Sequence, residues 1–312
     1  MAIAKALTYE TLPPPRSGLL HKWSPGPSLL LVPALGTIGA VSVYPLLLGI
    51  WLSFRDTSLT SIDDAFIGFT NYRQLITDDR FWNAWSHTVQ FTAASTLLET
   101  VLGLLIAVVL TERFRCRGLV RAAMLIPWAI PTVVTSKMFG WLFDGQNGVV
   151  NFILRSIGLI QHNVNWYGSP DWALLTIIVA DVWKTTPFMA LLILAGLQTI
   201  PPSLGEAARI DGAGYWQRFL RVTLPLLAPS LLVAALFRAL DAFRIFDLVY
   251  VLTGGGPADS TEVLSTLTYK NLFSALQIGY GSALSTTMFA TEGVIAIGFG
   301  LFIFRRMKEA GQ

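Results

Sequence analysis

Residues 28–54, SLLLVPALGTIGAVSVYPLLLGIWLSF, contain no charged side chain. A hydrocarbon core about 30 Å thick requires about 20 apolar residues in a helix, and this stretch exceeds that length. It is also too long for the apolar core of a signal peptide, so we expect an uncleaved first membrane span. The surroundings of this chain are therefore predicted to be lipid.

Further apolar blocks of similar length follow along the chain, at residues 88–110, 122–143, 172–197, 224–252 and 280–304. Each must be a helix, because an open strand would leave backbone groups unpaired in lipid. We therefore predict an all-α integral membrane protein with six transmembrane helices over residues 28–304. The tails are residues 1–27 and 305–312. Pro127 and Pro131 in the third span, and Pro187 in the fourth, predict kinks.

Composition supports a membrane location and excludes several classes of function. Hydrophobic residues make up 53% of the chain and charged residues 13%, against about 25% charged in soluble domains. The net charge of +3 comes from basic residues scattered over short connectors, which argues against nucleic acid as a partner. The single Cys116 and the widely separated His21, His87 and His162 offer neither a disulfide nor a metal-binding pattern. No phosphate-loop motif occurs, so we expect no cofactor on this chain and no enzymatic activity of its own.

The distribution of Lys and Arg predicts the orientation. The amino-terminal tail, the connector after span two, the connector after span four and the carboxyl-terminal tail carry three, four, three and three of them. The connectors after spans one, three and five carry three, one and one Lys or Arg residues. Because basic connectors remain in the cytoplasm, both termini are predicted to be cytoplasmic.

The connector at residues 201–225 predicts two short helices. Ser203 and Glu206 have the spacing of a capping box. Gly212 and Gly214 permit the left-handed conformations needed to end the first helix and turn. From these residues alone, an interfacial connector lying on lipid headgroups is an equally good interpretation.

The same connector resembles a known motif. The motif reads Glu206-Ala207-Ala208, three residues, Gly212, nine residues, Val222, one residue and Leu224-Pro225. It resembles the EAA loop of bacterial ABC importer permeases, with Val222 in place of the usual isoleucine. The resemblance implies a cytoplasmic pair of coupling helices that docks on an ATP-binding subunit, where ATP and Mg are held. The ATPase-coupling residues that it implies are Glu206, Ala207, Ala208, Asp211, Gly212, Leu224 and Pro225.

Other segments are similar to sugar permeases related to the maltose importer. They are residues 66–72 (FIGFTNY), 125–131 (LIPWAIP) and 247–257 (DLVYVLTGGGP). This likeness implies a type I ABC importer permease fold in a bacterial or archaeal inner membrane, with a disaccharide such as maltose or trehalose as substrate. The implied partners are a second permease subunit, two ATP-binding cassette subunits and an extracytoplasmic sugar-binding protein. In this reading Gly254, Gly255, Gly256 and Pro257 contact the binding protein or cover the cavity, although these glycines could merely end a helix.

Charged residues inside the spans are the other candidates for function, because a charge near the bilayer centre costs about 2.5 to 3.5 kcal/mol. Asp181 and Lys184 in span four are expected at the same depth as Arg238 and Asp241 in span five. Arg238, Asp241, Arg244 and Asp247 alternate in sign at spacing three. For Arg244 and Asp247 we favour a structural ion ladder, and for the other four residues a transport cavity.

By offset from the EAA loop, the resemblance to maltose-type permeases assigns the substrate-binding residues as Asp181, Lys184, Thr185, Phe188, Arg238, Asp241, Ala242 and Ile245. Trp183, Phe188 and Phe243 could supply aromatic faces for sugar rings. The alternative function is an ion-coupled secondary carrier, in which Glu99, Asp181 and Glu292 would form a proton relay.

Overall fold

A computed structural model describes residues 25–58, 64–112 and 114–310, so most of the predicted tail at 1–27 lies outside the described residues. The chain divides into two compact units, Met1–Leu48 and Gly49–Gln312. Within the described ranges, five helices are long and apolar enough to cross a membrane, and a bent pair of helices would bring the number to six. This confirms the predicted all-α membrane fold.

The first unit holds most of the first span. Helix α1 (Pro25–Ile38) passes through a π-helical turn at Gly39–Val43 into helix α2 (Tyr44–Leu52), which continues into the second unit. Residues Leu31–Leu52 are long and apolar enough for one membrane crossing. Helix α1 begins at Pro25, slightly before the predicted edge of the span at Ser28.

The second unit opens with a short antiparallel hairpin of β1 (Arg55–Asp56) and β2 (Ala65–Phe66), followed by helices α3 (Thr70–Thr77) and α4 (Asp79–Thr111). The buried Asn71 amide donates hydrogen bonds to the backbone carbonyls of Ser53 and Arg55. The Asp78 side chain caps α4 by accepting from the Arg80 N–H. Helix α4 begins before the predicted start at Thr88, because the prediction counted only the stretch that lipid requires to be apolar.

The third span is broken, as its prolines predict. It comprises helices α5 (Arg117–Met124), α6 (Ile126–Ala129) and α7 (Thr132–Leu142), with a bend of 86° between residues 117–129 and 132–142. Ile130 has extended backbone angles, the conformation that a following proline imposes. Pro131 therefore sets the position of the bend.

The fourth span is the centre of the fold. After the short helix α8 (Val149–Ser156), helix α9 (Pro170–Gln198) packs along α4 and forms its most extensive contact there. A Cβ at Gly103 would lie 3.1 Å from the backbone nitrogen of Ala190, and a Cβ at Gly196 would lie 2.5 Å from the Ser230 Cβ. Small residues thus allow α9 to approach its neighbours closely.

The predicted pair of short helices is present as α10 (Pro202–Ile210) and α11 (Tyr215–Arg218), hereafter the helical pair. The predicted capping box at Ser203 is wrong, because the helix already begins at Pro202 and Ser203 lies inside it. Gly212 has φ +81°, and the N–H groups of Gly212 and Ala213 bond the carbonyls of Arg209 and Ala208, which forms a Schellman motif. Gly214 has φ −65°, so its predicted left-handed conformation is also wrong.

The fifth span begins and ends earlier than predicted, because its continuous helical segment is Tyr215–Phe243 and the predicted span is residues 224–252. Helix α11 continues through a π-helical turn at Phe219–Thr223 into helix α12 (Leu224–Phe243), and the chain then leaves the helical path before α13 (Asp247–Leu252). The remaining elements are α14 (Leu264–Tyr269), a π-helical turn at Lys270–Ser274 and α15 (Ile278–Ala310). Helix α15 continues into the predicted tail at 305–312. Helix α12 packs on α4, α9 and α15, so three other membrane helices contact it.

Candidate functional site

One guanidinium joins three carboxylates where α4, α9 and α12 meet. Arg238 Nε and Nη2 donate to the two carboxylate oxygens of Glu99, Nη2 also donates to Asp181 Oδ2, and Nη1 donates to Asp241 Oδ2 at 3.0 Å. We call these four residues the ion cluster. The exposed fraction of the side chain is 0% for Glu99, 5% for Arg238 and Asp181, and 69% for Asp241.

The geometry of the ion cluster follows from the chemistry of arginine. A guanidinium presents five N–H donors in a fixed plane, so it can bind one carboxylate in two places and reach two more. A buried charge without a partner is strongly unfavourable. Glu99 and Asp181 are therefore stable in the protein interior only because Arg238 lies between them.

A polar cavity of about 290 Å³ lies beside the ion cluster. Helices α6, α7, α9 and α12, the break after α12 and the start of α13 supply the residues that line it: Trp128, Thr132, Asp181, Lys184, Thr185, Asp241, Arg244, Ile245, Phe246 and Asp247. Charged groups, hydroxyls and one indole ring thus face a common space. Such a surface can bind a ligand with many hydroxyl groups.

Of the eight predicted substrate-binding residues, five line this cavity: Asp181, Lys184, Thr185, Asp241 and Ile245. Arg238 lies behind the cavity wall in the ion cluster. Phe188 stacks on Trp128 with ring centroids 5.2 Å apart, so it supports a ring that does line the cavity. Ala242 is fully buried in a hydrophobic cluster and does not line the cavity.

Two other aromatic residues are placed differently from the expectation. Phe243 is buried against Trp85 and Tyr280 in a separate hydrophobic cluster, so its ring is closed to a ligand. Trp183 packs on Phe139 with ring centroids 5.5 Å apart. Neither offers its face to the cavity, because a helix repeats every 3.6 residues and these positions point elsewhere.

The predicted ion ladder on the fifth span is only partly formed. Arg238 pairs with Asp241, but Arg244 pairs with Glu292 of α15, with 3.5 Å between the charged atoms. The chain leaves the helical path at Arg244 to Phe246, so spacing three no longer makes Arg244 and Asp247 neighbours. Both residues instead line the cavity, where the sequence had suggested a purely structural role.

The sequence predicted Glu99 only as part of the alternative proton relay, and it did not predict two further contributors to this site. Glu99 belongs to the ion cluster, and Trp128 and Thr132 line the cavity. The signal for Glu99 was an isolated acid in an apolar span, which requires a cation from another helix. The signal for Trp128 and Thr132 was the neighbouring pair of prolines, Pro127 and Pro131. These prolines break the span, and the backbone of a broken span faces a polar space. The Lys184 ammonium donates to the Trp128 carbonyl at 3.3 Å.

The helical pair forms a second candidate surface. Glu206, Ala207, Asp211 and Gly212 are exposed, and Ala208 is half-buried. Leu224 and Pro225 begin α12. Large apolar side chains project beside these residues, with Ile210 86% and Trp216 69% exposed. An exposed apolar patch of this kind is typical of a docking site.

The turn at Gly254 to Pro257 is closely packed. Gly254 and Gly255 have φ of +61° and +94°, and a Cβ at Gly255 would lie 2.6 Å from Glu262 Oε2. The buried Glu262 carboxylate is paired with the Lys270 ammonium. These glycines therefore end α13 and also bring the turn against this ion pair.

Asp64 and Tyr167, which both lie outside the spans, have shifted pKa values. Hydrogen bonds from Thr57 and Arg55 lower the pKa of the exposed Asp64 carboxyl. Burial raises the pKa of the Tyr167 hydroxyl, which donates to the Phe139 carbonyl at 3.0 Å. Among residues 25–58, 64–112 and 114–310, no group of His, Cys, Asp and Glu has an arrangement that could hold a metal ion.

Comparison with solved structures supports the fold. A chain of a bacterial ABC transporter involved in the import of the acidic polysaccharide alginate superposes with a TM-score of 0.77 at 24% identity, covering 89% of this chain and 94% of that chain. The same transporter in complex with an alginate pentasaccharide-bound periplasmic protein gives a TM-score of 0.75 at 25% identity, covering 87% and 92%.

Comparison with known sequences identifies the family. The chain is 42% identical to the trehalose/maltose transport system permease protein MalF of Thermococcus litoralis, over 84% of this chain and 88% of that protein. It is 43% identical to the sulfoquinovosyl glycerol transport system permease protein SmoG of Agrobacterium fabrum, over 84% and 85%. It is 42% identical to the trehalose transport system permease protein SugA of Mycobacterium tuberculosis, over 87% and 86%. Residues 99–309 match the family described as binding-protein-dependent transport system inner membrane component, and the chain belongs to that family of membrane-spanning permeases.

Proposed function

We propose that this chain is the sugar-conducting permease of an ATP-driven importer and that its substrate is a neutral disaccharide such as maltose or trehalose. The polar cavity beside the ion cluster is the observation that carries the proposal. Its volume of about 290 Å³ is just below the ~300–1,000 Å³ usual for small-molecule sites. The second permease of the importer would supply the opposite wall.

The charges around the cavity favour a neutral sugar over an acidic one. Three acidic residues line the cavity, Asp181, Asp241 and Asp247, whereas only two basic residues line it, Lys184 and Arg244. Arg244 is already paired with Glu292, and Arg238 is shared among three carboxylates. An anionic ligand would therefore meet a surplus of negative charge, whereas hydroxyl groups can donate to these carboxylates. The relatives named for trehalose and maltose are consistent with this choice.

The helical pair is proposed to dock on an ATP-binding subunit. Its exposed Ile210 and Trp216 side chains need a partner surface, and the basic connector at residues 201–225 predicts a cytoplasmic position. ATP and Mg would be bound by two such subunits rather than by this chain. Closure of those subunits would move the helical pair and, through α9 and α12, the cavity wall.

The remaining partners are proposed from the relatives. A solved importer of this fold contains a substrate-loaded periplasmic protein, which supports delivery of sugar by an extracytoplasmic binding protein. The turn at Gly254 to Pro257 is proposed to contact that protein or to cover the cavity. Both termini are proposed to be cytoplasmic, and the ion-coupled carrier is not favoured because the relatives are importer permeases.

The test is ATP hydrolysis by the purified complex with its second permease, ATP-binding subunits and binding protein, during titration with neutral and acidic sugars. We expect one neutral disaccharide to stimulate hydrolysis and Glu206→Ala to abolish the stimulation. Stimulation by acidic sugars alone would contradict the neutral substrate, and uptake driven by an ion gradient without ATP would contradict the importer.

A further inference from the structure

The buried Glu99 carboxylate has no role in the proposed path of the sugar, yet it makes the most enclosed contact of Arg238. Its side chain is fully buried on α4, and both of its oxygens accept from the guanidinium. It is absent from the residues that line the cavity. Its effect on the sugar would therefore have to pass through another residue.

Arg238 provides that connection. The Nη2 nitrogen that bonds Glu99 Oε1 at 2.9 Å also bonds Asp181. The neighbouring Nη1 nitrogen bonds Asp241 Oδ2 at 3.0 Å. Because the guanidinium is planar and rigid, fixing it at two atoms on the Glu99 side also fixes the direction of its remaining N–H groups.

The two carboxylates on the other side of Arg238 face the cavity. Asp241 is 69% exposed, and one of its oxygens is bonded to Arg238, so the other is available to a ligand. Asp181 is almost fully buried, and its carboxylate is directed by Arg238. The orientation of both acceptors thus depends on where the guanidinium is held.

We propose that Glu99 is a positioning residue for transport: it holds the Arg238 guanidinium in place and thereby orients Asp181 and Asp241 toward the sugar. The inference rests on the proposed function of the cavity. It assigns a transport role to α4, which supplies no residue to the cavity lining.

Glu99→Gln is the informative substitution, because it removes one charge and leaves Arg238 and Asp181 as a neutral pair. A buried pair with balanced charge is tolerated far better than an unpaired ion, so we expect the complex to assemble. Without the second carboxylate contact the guanidinium can rotate, and the two aspartates lose their fixed orientation.

The readout is sugar taken up per ATP hydrolysed in proteoliposomes, with trehalose and maltose as the probes. A binding protein captures the sugar first, so the half-saturating concentration should stay unchanged. We expect uptake per ATP to fall about tenfold in Glu99→Gln, the size expected for one charged hydrogen bond, while sugar-stimulated ATP hydrolysis is largely retained. Arg238→Lys should behave similarly, since it keeps the charge but loses the planar donors.

Ser95→Ala is the matched control on the same helix. Ser95 is fully buried, and its hydroxyl bonds only its own helix, at the Phe91 carbonyl. Uptake per ATP should remain at the wild-type value in this variant. An unchanged ratio in Glu99→Gln, or a parallel loss of uptake and ATP hydrolysis, would overturn the positioning role.

A second measurement does not depend on sugar. Glu99→Gln and Asp241→Asn are combined in a double-mutant cycle, and thermal unfolding of the assembled complex is followed. The two carboxylates are joined through Arg238, so the shift caused by Asp241→Asn should differ between the two backgrounds. Equal shifts would overturn the inference. If the wild type takes up no saccharide, the proposed function fails, but this cycle still decides whether Glu99 acts through Arg238.

Discussion

The ion cluster and the helical pair make opposite use of burial. The ion cluster joins residues from three helices that are far apart in sequence, and its central groups are closed to solvent. The helical pair is built from one continuous segment, residues 202–218, and its prominent side chains are exposed. The first is stabilised by contacts within this chain, whereas the second is proposed to contact another chain. Substitutions should therefore affect stability in the first region and association in the second.

Arg238→Met should have the largest effect. It leaves Glu99 and Asp181 buried without a cation, which costs about 3–5 kcal/mol for a broken buried pair. We expect a large loss of assembled complex and a lower unfolding temperature, measured by size-exclusion chromatography and thermal unfolding in detergent.

Arg244→Met is the control for that experiment. Its side chain is 61% exposed and its pair with Glu292 spans 3.5 Å, so the expected cost is about 1 kcal/mol or less. Equal losses of assembled complex in the two variants would show that the buried ion cluster contributes no more to stability than the exposed pair of Arg244 and Glu292.

Gly212→Ala should have an intermediate effect, because it tests the backbone of the helical pair. Gly212 has φ +81°, where a residue with a Cβ costs roughly 1–2 kcal/mol, although space around it is open. Denaturant unfolding of the permease should register this cost, and stimulated ATP hydrolysis should fall as the turn distorts. If this variant kept wild-type stimulation of ATP hydrolysis, Gly212 would not belong to the proposed docking site.

Ile210→Ser should have the smallest effect on stability, within about 0.5 kcal/mol for an exposed side chain. Its expected effect is weaker association with the ATP-binding subunits, measured by pull-down of the purified subunits. Ile157→Ser is the control, since Ile157 is also exposed but follows α8 on the opposite predicted side of the membrane. Loss of association in both variants would argue against a specific docking surface.

The same contrast explains what the sequence could predict. The helical pair was predicted because its signals are local: prolines, glycines and a motif at fixed spacing. The breaks of the third span followed from Pro131 for the same reason. Errors in this region, at Ser203 and Gly214, concerned the exact start of a helix and the conformation of one glycine, which shift easily by one residue.

The ion cluster could only be predicted in part. Asp181, Arg238 and Asp241 were placed at one depth from helix geometry, but Glu99 was not, because nothing in one sequence specifies which face of α4 meets α12. Arg244 was assigned to a helical ladder, yet the helix ends there. Ala242 was assigned to the substrate by offset, although the turn of α12 directs it into the core.

The close contact of Gly196 with Ser230 has a mechanical consequence. Helices α9 and α12 touch there without space for a Cβ, and they are joined again by the bond between Arg238 and Asp181. These two contacts oppose sliding of one helix along the other. The helical pair lies in the connector that joins these two helices, so under the proposed function a movement of residues 202–218 would be transmitted to Asp181 by both helices together.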